Sequence, residues 1–216
     1  MADLIDYLIK EGFLKTKAII EAFRIVRRKD FLPAQSQKVI GAGGPEELKD
    51  LAELDSPLSI GYGQTISQPL VVAFMLELLQ PKLGEKILDI GSGSGWTSAL
   101  MAQIVGEKGR VVAVEIIPEL MEFGRKNISR YNFIKKGIVK IVCGDGSIGF
   151  AGEAPFDKIL ASASAKDLPL AWKRQLKVGG RIVASIKDSI WVFEKKPDGR
   201  FKEKEYPGFV FVPLVS

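Results

Sequence analysis

Short runs of branched apolar residues alternate along this chain with stretches whose apolar positions recur every three or four residues. The runs at Lys86–Ile90, Arg110–Glu115, Val139–Cys143, Asp157–Ser162 and Arg181–Ile186 read as buried strands. Helical patterns lie between them, at Thr97–Val105, Pro118–Tyr131 and Pro169–Leu176. Such repeated strand–helix units predict an α/β fold: a doubly wound, mainly parallel sheet with helices on both faces. Upstream, residues 3–31 read as two N-terminal helices. Leu4, Ile5, Leu8 and Ile9 mark the first, and Thr16 caps a second that carries Ile19, Ile20, Phe23 and Val26 and ends near Arg28. Pro69 opens a further helix to Leu79.

Other stretches are less regular. Residues 34–56 carry little pattern, with a turn at Gly41–Pro45 and a short helix over Glu46–Leu54. Pro57–Pro69 reads as a loop rich in glycine, hydroxyls and amides, able to present donors to a ligand. Gly179-Gly180 reads as a turn. Ile190–Glu194 and Gly208–Val212 read as a closing antiparallel pair joined by the charged turn Lys195–Lys204. The expected organisation is one domain over 1–216, with a helical cap and loop at 1–56 and the α/β core at 57–216.

Composition narrows the chemistry. No apolar run reaches the roughly 18 residues of a membrane span, and the acidic, amphipathic start Met1-Ala-Asp-Leu-Ile-Asp is not the pattern of a secretory signal. The single cysteine, Cys143, reads as a buried strand residue; it excludes an internal disulfide and fits a reducing, cytoplasmic setting. The net charge is +5, but the basic clusters at Arg27–Lys29, Lys135–Lys136 and Lys195–Lys196 are small and read as solvated faces, not as a nucleic-acid stripe. Histidine is absent. That removes the commonest general base, the Ser-His and Cys-His pairs and, with one cysteine, the usual zinc sites, so no metal is expected.

The informative residues sit at strand ends, where a doubly wound sheet binds its ligand. Gly91-Ser92-Gly93 follows the first strand, with Asp89 just before it. Glu115 ends the second strand, where a carboxylate can accept both hydroxyls of a ribose. Gly144-Asp145-Gly146 follows the third, placing a carboxylate where it can accept from an exocyclic amine. The set points to a nucleoside cofactor.

The spacing G-x-G-x-G followed by Trp96 resembles the S-adenosylmethionine motif of Rossmann-like class I methyltransferases; NAD stays open as the alternative. Ser59-Ile-Gly-Tyr-Gly-Gln-Thr-Ile-Ser-Gln-Pro69 resembles the signature of protein-L-isoaspartate (D-aspartate) O-methyltransferases. So do Ile87–Gly95, Val114–Leu120, Gly144–Gly146, Ala154–Asp157, Gln175–Arg181 and Phe211–Leu214. The resemblance implies S-adenosylmethionine as cofactor and proteins or peptides containing isoaspartyl residues as partners. It implies Ser67, with Thr65, at the reacting carboxylate. Gln64, Thr65, Ile66 and Ser67 would border the cofactor's methionine part. Gly91, Ser92 and Gly93 would approach it, with Asp89 just behind. Glu115 and Ile116 would hold the ribose, and Gly144, Asp145 and Gly146 would meet the adenine. Val212–Val215 would help wall the peptide groove. The implied reaction methylates the α-carboxyl of L-isoaspartyl residues in damaged proteins and starts repair through a succinimide.

Three segments depart from that family. The Pro33–Pro57 stretch is longer than usual. Ser162-Ala-Ser-Ala replaces an alanine run, and Ala184-Ser-Ile-Lys187 replaces a Pro-Val-Gly turn. These leave open a carboxyl methyltransferase acting on an ordinary aspartate of a dedicated peptide partner. A nucleic-acid methyltransferase is a weaker reading, because no Asn/Asp-Pro-Pro-aromatic motif follows the fourth strand. No nucleic acid and no membrane are expected as partners. The chain is expected to act as a monomer, although no sequence feature selects an oligomeric state.

Overall fold

A computed structural model describes residues 4–33, 38–39 and 49–215. Two helices, α1 (Leu4–Lys10) and α2 (Lys17–Ile25), are followed by a 3-10 turn at Arg28–Phe31 and a minimal pair of strands, β1 (Lys38–Val39) and β2 (Lys49–Asp50). A 3-10 turn, Leu51–Glu53, stands in the described part of the span expected to be helical at Glu46–Leu54, so that expectation fails there. The turn expected at Gly41–Pro45 lies outside the described residues. The second helix stops at Ile25, short of Arg28, because the Val26 carbonyl accepts the Trp96 indole N–H (3.3 Å) in place of a helical amide. Thr16 occupies the cap position of α2, but its hydroxyl donates to Glu77 (2.7 Å).

Pro57–Pro69 is not a plain loop. It forms the hairpin β3 (Leu58–Gly61) and β4 (Gln64–Ile66), turning at Tyr62 (φ 55°) and Gly63 (φ 70°). Only Ile60 and Ile66 are buried in it, too few apolar positions to show as alternation. Then follow α3 (Pro69–Leu79), β5 (Lys86–Ile90), α4 (Trp96–Val105), β6 (Arg110–Glu115), α5 (Pro118–Ser129), β7 (Val139–Cys143), β8 (Phe156–Ala165), α6 (Leu170–Gln175), β9 (Leu176–Ile186), β10 (Ser189–Lys195) and β11 (Phe201–Pro207).

The main sheet has the order β11-β10-β9-β8-β5-β6-β7. Pairing is parallel from β9 through β7 and antiparallel at β9–β10 and β10–β11. The chain leaves β5 in one direction through β6 and β7. It then returns to the other side of β5 through β8 and β9, so the switch point lies between β5 and β8. Right-handed crossovers in opposite directions put α4 and α5 on one face and α6 on the other. Alternate residues of each strand feed the two faces. Ile87, Val111, Leu160 and Val183 share a core with α1–α5, while Leu88, Val112, Ile159 and Ile182 share one with Trp172 and Leu176.

Three further expectations change. Gly179 and Gly180 lie inside β9, in a bulge between the pairs Phe156–Leu176 and Lys158–Arg181. A Cβ on Gly180 would meet the Asp157 carbonyl at 2.8 Å, so glycine serves close approach there. The partner of β10 is the polar segment Phe201–Pro207, an edge strand with Lys202–Glu205 exposed and hence no apolar alternation. The apolar Gly208–Val212 instead leaves the sheet; Phe209 stacks on Phe74 (5.4 Å), and Val212 and Leu214 bond to Ser164. Cys143, expected buried, is exposed as the last residue of an edge strand. Among the described residues no helix is long and apolar enough to cross a membrane.

The turn after β5 packs against α5 through paired glycines. A Cβ on Gly124 would meet the Gly93 carbonyl at 2.9 Å, and one on Gly95 would meet Ile128 at 2.8 Å and the Gly124 carbonyl at 3.1 Å. Alanine at 124 gains about 1 kcal/mol of helix propensity but must displace backbone, which costs about 1–3 kcal/mol. Gly124→Ala is therefore expected to lower the unfolding free energy by up to about 2 kcal/mol net in chemical denaturation; a variant more stable than the parent would show that the turn has room to move.

Candidate active site

The glycine turn starts where β5 ends. The amides of Gly91 and Ser92 both donate to the Val114 carbonyl (2.9 and 3.2 Å), which holds the turn against β6. Gly91, Gly93 and Gly95 all have positive φ, at 73°, 51° and 85°. Side chains there would be strained, and one at Gly91 would press on the Ala163 Cβ at 3.2 Å. Above the turn opens a cleft of about 380 Å³. Its floor is Gly91, Ser92 and Gly93, one wall is the hairpin residues Gln64–Ser67, and another is Val210–Val215.

Of the residues singled out from sequence, Gln64, Thr65, Ile66, Ser67, Gly91, Ser92, Gly93, Glu115, Ile116 and Gly146 line this one cleft. Three do not. Asp89 is wholly buried beneath the turn, where its Oδ2 accepts the hydroxyls of Thr97 (2.8 Å) and Ser98 (2.5 Å). It ties β5 to the start of α4 and does not itself line the cleft, which it reaches only through Thr97. Gly144 donates to the Glu115 carbonyl (2.9 Å), and the Asp145 carboxylate accepts the Ser147 amide (2.7 Å), capping the turn Gly146–Ile148.

Glu115 is 6 % exposed. Its Oε2 accepts the Gly93 amide (2.8 Å) and its Oε1 the Ile117 amide (3.0 Å). A carboxylate has about four acceptor positions, so two bonds leave capacity toward the cleft. Ser92 is nearly buried, and its Oγ has no partner within the protein. A buried, unbonded hydroxyl on the floor of a polar-edged cleft calls for a ligand that bonds it.

Several neighbours escaped sequence reasoning. Trp172 is fully buried and donates its indole N–H to the Gly146 carbonyl (2.9 Å). Gln175 brackets the same loop, accepting from the Phe150 amide and donating to the Ile148 carbonyl (2.8 and 2.9 Å). Asn127 is buried on the stripe formed with Leu120, Gly124 and Ile128, and donates to the Ser94 carbonyl (3.1 Å). A polar residue on that apolar stripe was the available signal. From sequence Arg28 reads as part of a solvated basic cluster, yet it is 5 % exposed. Lys195 likewise spends its ammonium on the carbonyls of Lys173 and Leu176 (both 2.8 Å).

Comparison with known proteins follows this geometry. The family model for protein-L-isoaspartate(D-aspartate) O-methyltransferase matches residues 1–216. A protein-L-isoaspartate O-methyltransferase of Methanopyrus kandleri is 40% identical over 99% of this chain and 90% of its own length. One of Aeropyrum pernix is 40% identical, over 99% and 78% respectively. Among solved structures, a Plasmodium falciparum protein described as a member of that family, in complex with S-adenosyl-L-homocysteine, superposes with a TM-score of 0.82. It is 23% identical, over 98% of this chain and 96% of that one, a likeness of fold alone. A second, described as a protein-L-isoaspartate O-methyltransferase, gives 0.83 at 28% identity, over 99% of this chain and 65% of that one.

Burial pushes the Asp89 carboxyl up to about 6, against the two hydroxyl bonds that favour its charge; the nearby Glu115 adds to the rise. The folded chain then keeps a proton between about pH 4 and 6 that the unfolded chain has released. This group's contribution to stability therefore falls as pH rises through that window and is flat above it. Asp89→Asn cannot titrate, so the stability difference between parent and variant is expected to shrink by roughly 1–3 kcal/mol from pH 4 to 6. Parallel melting curves across pH check this, and a constant difference would refute it.

Proposed function

The chain belongs to the protein-L-isoaspartate (D-aspartate) O-methyltransferase family, and we propose that its Gln64–Ser67 hairpin holds the reacting carboxylate against the glycine turn. The activity is S-adenosylmethionine-dependent methylation of L-isoaspartyl residues in proteins or peptides. One observation carries the assignment of roles: the Gln64–Ser67 edge and the Gly91–Gly93 floor border the same cleft.

The residues present fit the cofactor. The glycine floor admits a ligand at backbone distance, Ser92 Oγ is unbonded, and Glu115 keeps acceptor positions for ribose hydroxyls. Ile116 and Gly146 would flank the nucleoside, with Trp172 holding Gly146 in place. When bound, the cofactor supplies an electrophilic methyl group. The acceptor carboxylate has an ordinary pKa of about 4 and is already a nucleophile at neutral pH. The protein therefore needs no base. It must align the acceptor, keep its charge and exclude water. The Thr65 and Ser67 hydroxyls can orient the carboxylate by donation without neutralising it. The apolar walls of Ile60, Ile66, Val71 and Phe211 exclude water. When the next backbone nitrogen attacks the ester carbonyl, the methoxy group leaves with the amide proton as methanol, closing a succinimide that hydrolyses partly to aspartate.

We read residues 1–216 as one domain. In support, α1 and α2 share a single apolar core with α3–α5. We infer action as a monomer on polypeptide and not on nucleic acid or membrane; the family supports the polypeptide substrate, and the small, scattered basic clusters are no nucleic-acid stripe. The lone cysteine supports a cytoplasmic setting.

Labelled S-adenosylmethionine supplied with matched isoaspartyl and aspartyl peptides and bulk tRNA is expected to give base-labile label in the isoaspartyl peptide only. Label in the aspartyl peptide or the RNA would replace the substrate assignment. Ser67→Ala is expected to lower kcat about 100-fold while S-adenosylhomocysteine binding by calorimetry stays within about 2-fold of the parent; unchanged turnover would remove Ser67 from the reacting edge.

A further inference from the structure

Arg28 is a cation placed where the fold gains least from charge. Burial draws its pKa down to about 10, with Asp55 and Glu53 opposing the fall, so it stays charged at neutral pH. A buried ion of this kind is costly, and an apolar side chain of similar volume is commonly as stable or more so. Its contacts explain what the cost achieves. Nη1 donates to the carbonyls of Ala52 (3.3 Å) and Leu54 (3.0 Å). Nη2 donates to those of Ser56 (2.7 Å) and Ser67 (3.2 Å). The guanidinium also lies 5.7 Å from the ring centre of Trp96, itself part of the cleft.

Asp55, whose charge acts on Arg28, adds two bonds just after Ser67. Its Oδ2 accepts the Gln68 side-chain amide (3.1 Å), and its Oδ1 accepts the Leu70 amide (2.8 Å) at the start of α3. Ser67 thus has its own carbonyl held by Arg28 and the next residue's side chain held by Asp55. Ser67 itself lines the cleft.

We propose that Arg28 is a positioning residue for methyl transfer, fixing the Ser67 backbone so that its hydroxyl meets the acceptor carboxylate. This rests on the reading of Ser67 as the reacting edge. Only a planar fork spans four carbonyls from two directions; a lysine ammonium supplies three donors from one point. Displacement of a reacting edge by about 1 Å costs up to about 100-fold in rate.

The test is a double-mutant cycle of Arg28→Lys and Ser67→Ala in the full chain, with kcat and KM for an isoaspartyl peptide, calorimetric S-adenosylhomocysteine affinity and melting temperature for each variant. Arg28→Lys alone is expected to lower kcat about 10- to 100-fold, with cofactor affinity within about 2-fold of the parent. In the Ser67→Ala background the same change is expected to alter kcat less than about 2-fold, because the hydroxyl it aligns is gone. Equal losses in both backgrounds, a matching loss of cofactor affinity, or a lowered melting temperature with unchanged kcat would each overturn the role of Arg28. Full turnover by Ser67→Ala alone would overturn the reading of Ser67, which separates the two failures. If Arg28→Lys does not fold, Asp55→Asn provides the second arm: it keeps the guanidinium but removes a carboxylate that supports its charge and tethers Gln68, and is expected to lower kcat several-fold in the parent and not in Ser67→Ala, and equal effects in the two backgrounds would reject the proposal.

Discussion

Glu115 reaches from the end of β6 back to the turn that follows β5, and its carboxylate accepts the amides of Gly93 and Ile117. That bridge fixes the ends of β5 and β6 relative to each other, beside the switch point between β5 and β8. Around it, side chains are excluded. Gly93 and Gly95 face Gly124 and Ile128 of α5, and Gly91 faces Ala163 of β8. The turn is held at backbone contact on both sides, with Asp89 and its two hydroxyl donors below. The cleft floor is consequently a rigid backbone surface, suited to a ligand whose reactive carbon must be placed within a fraction of an ångström.

The reacting edge is built on different physics. It is a two-stranded hairpin with most residues exposed, and such hairpins are marginal on their own. Its order comes from buried polar groups behind it. Arg28 and Asp55 join the turn after α2, the Leu51–Ser56 segment and the start of α3 to the backbone around Ser67. Further anchors hold that turn in turn: the Tyr131 hydroxyl donates to Asp30 (2.6 Å) and accepts from the Arg27 amide (3.0 Å). The N-terminal helices are therefore part of the site's support, through α5, and not an independent cap.

The centre of the sheet was legible in the sequence because β5 and β6 are buried on both faces. Lys86–Ile90, Arg110–Glu115 and Val139–Cys143 have in the structure the bounds that their apolar runs predict. Strand ends then located the cleft, since ligand position follows from topology. What failed shares one cause: polarity along the chain does not tell where a side chain's hydrogen bonds go. Arg28 reads as surface charge until its four carbonyl partners are seen. Asp89 reads as a ligand contact because it adjoins the glycine turn, yet it points down into the fold. Lys195–Lys204 reads as a charged turn although β11 starts at Phe201 within it, because an edge strand needs no apolar face, and Gly208–Val212 reads as a strand because its apolar residues pack outside the sheet. Trp172 carries no local signal, because its partner, Gly146, lies on a distant loop.

The edge formed by β11 has a consequence for an enzyme that handles aged polypeptides. An outermost strand offers unpaired amides and carbonyls to any extended chain, and loosened proteins are rich in such segments. Here that edge carries Lys202, Glu203, Lys204 and Glu205 in succession, all exposed, and closes on Pro207, which has no amide to give. A partly unfolded client is thus denied a template for strand addition along the sheet. The same charges and terminal proline disfavour edge-to-edge pairing between copies of this chain.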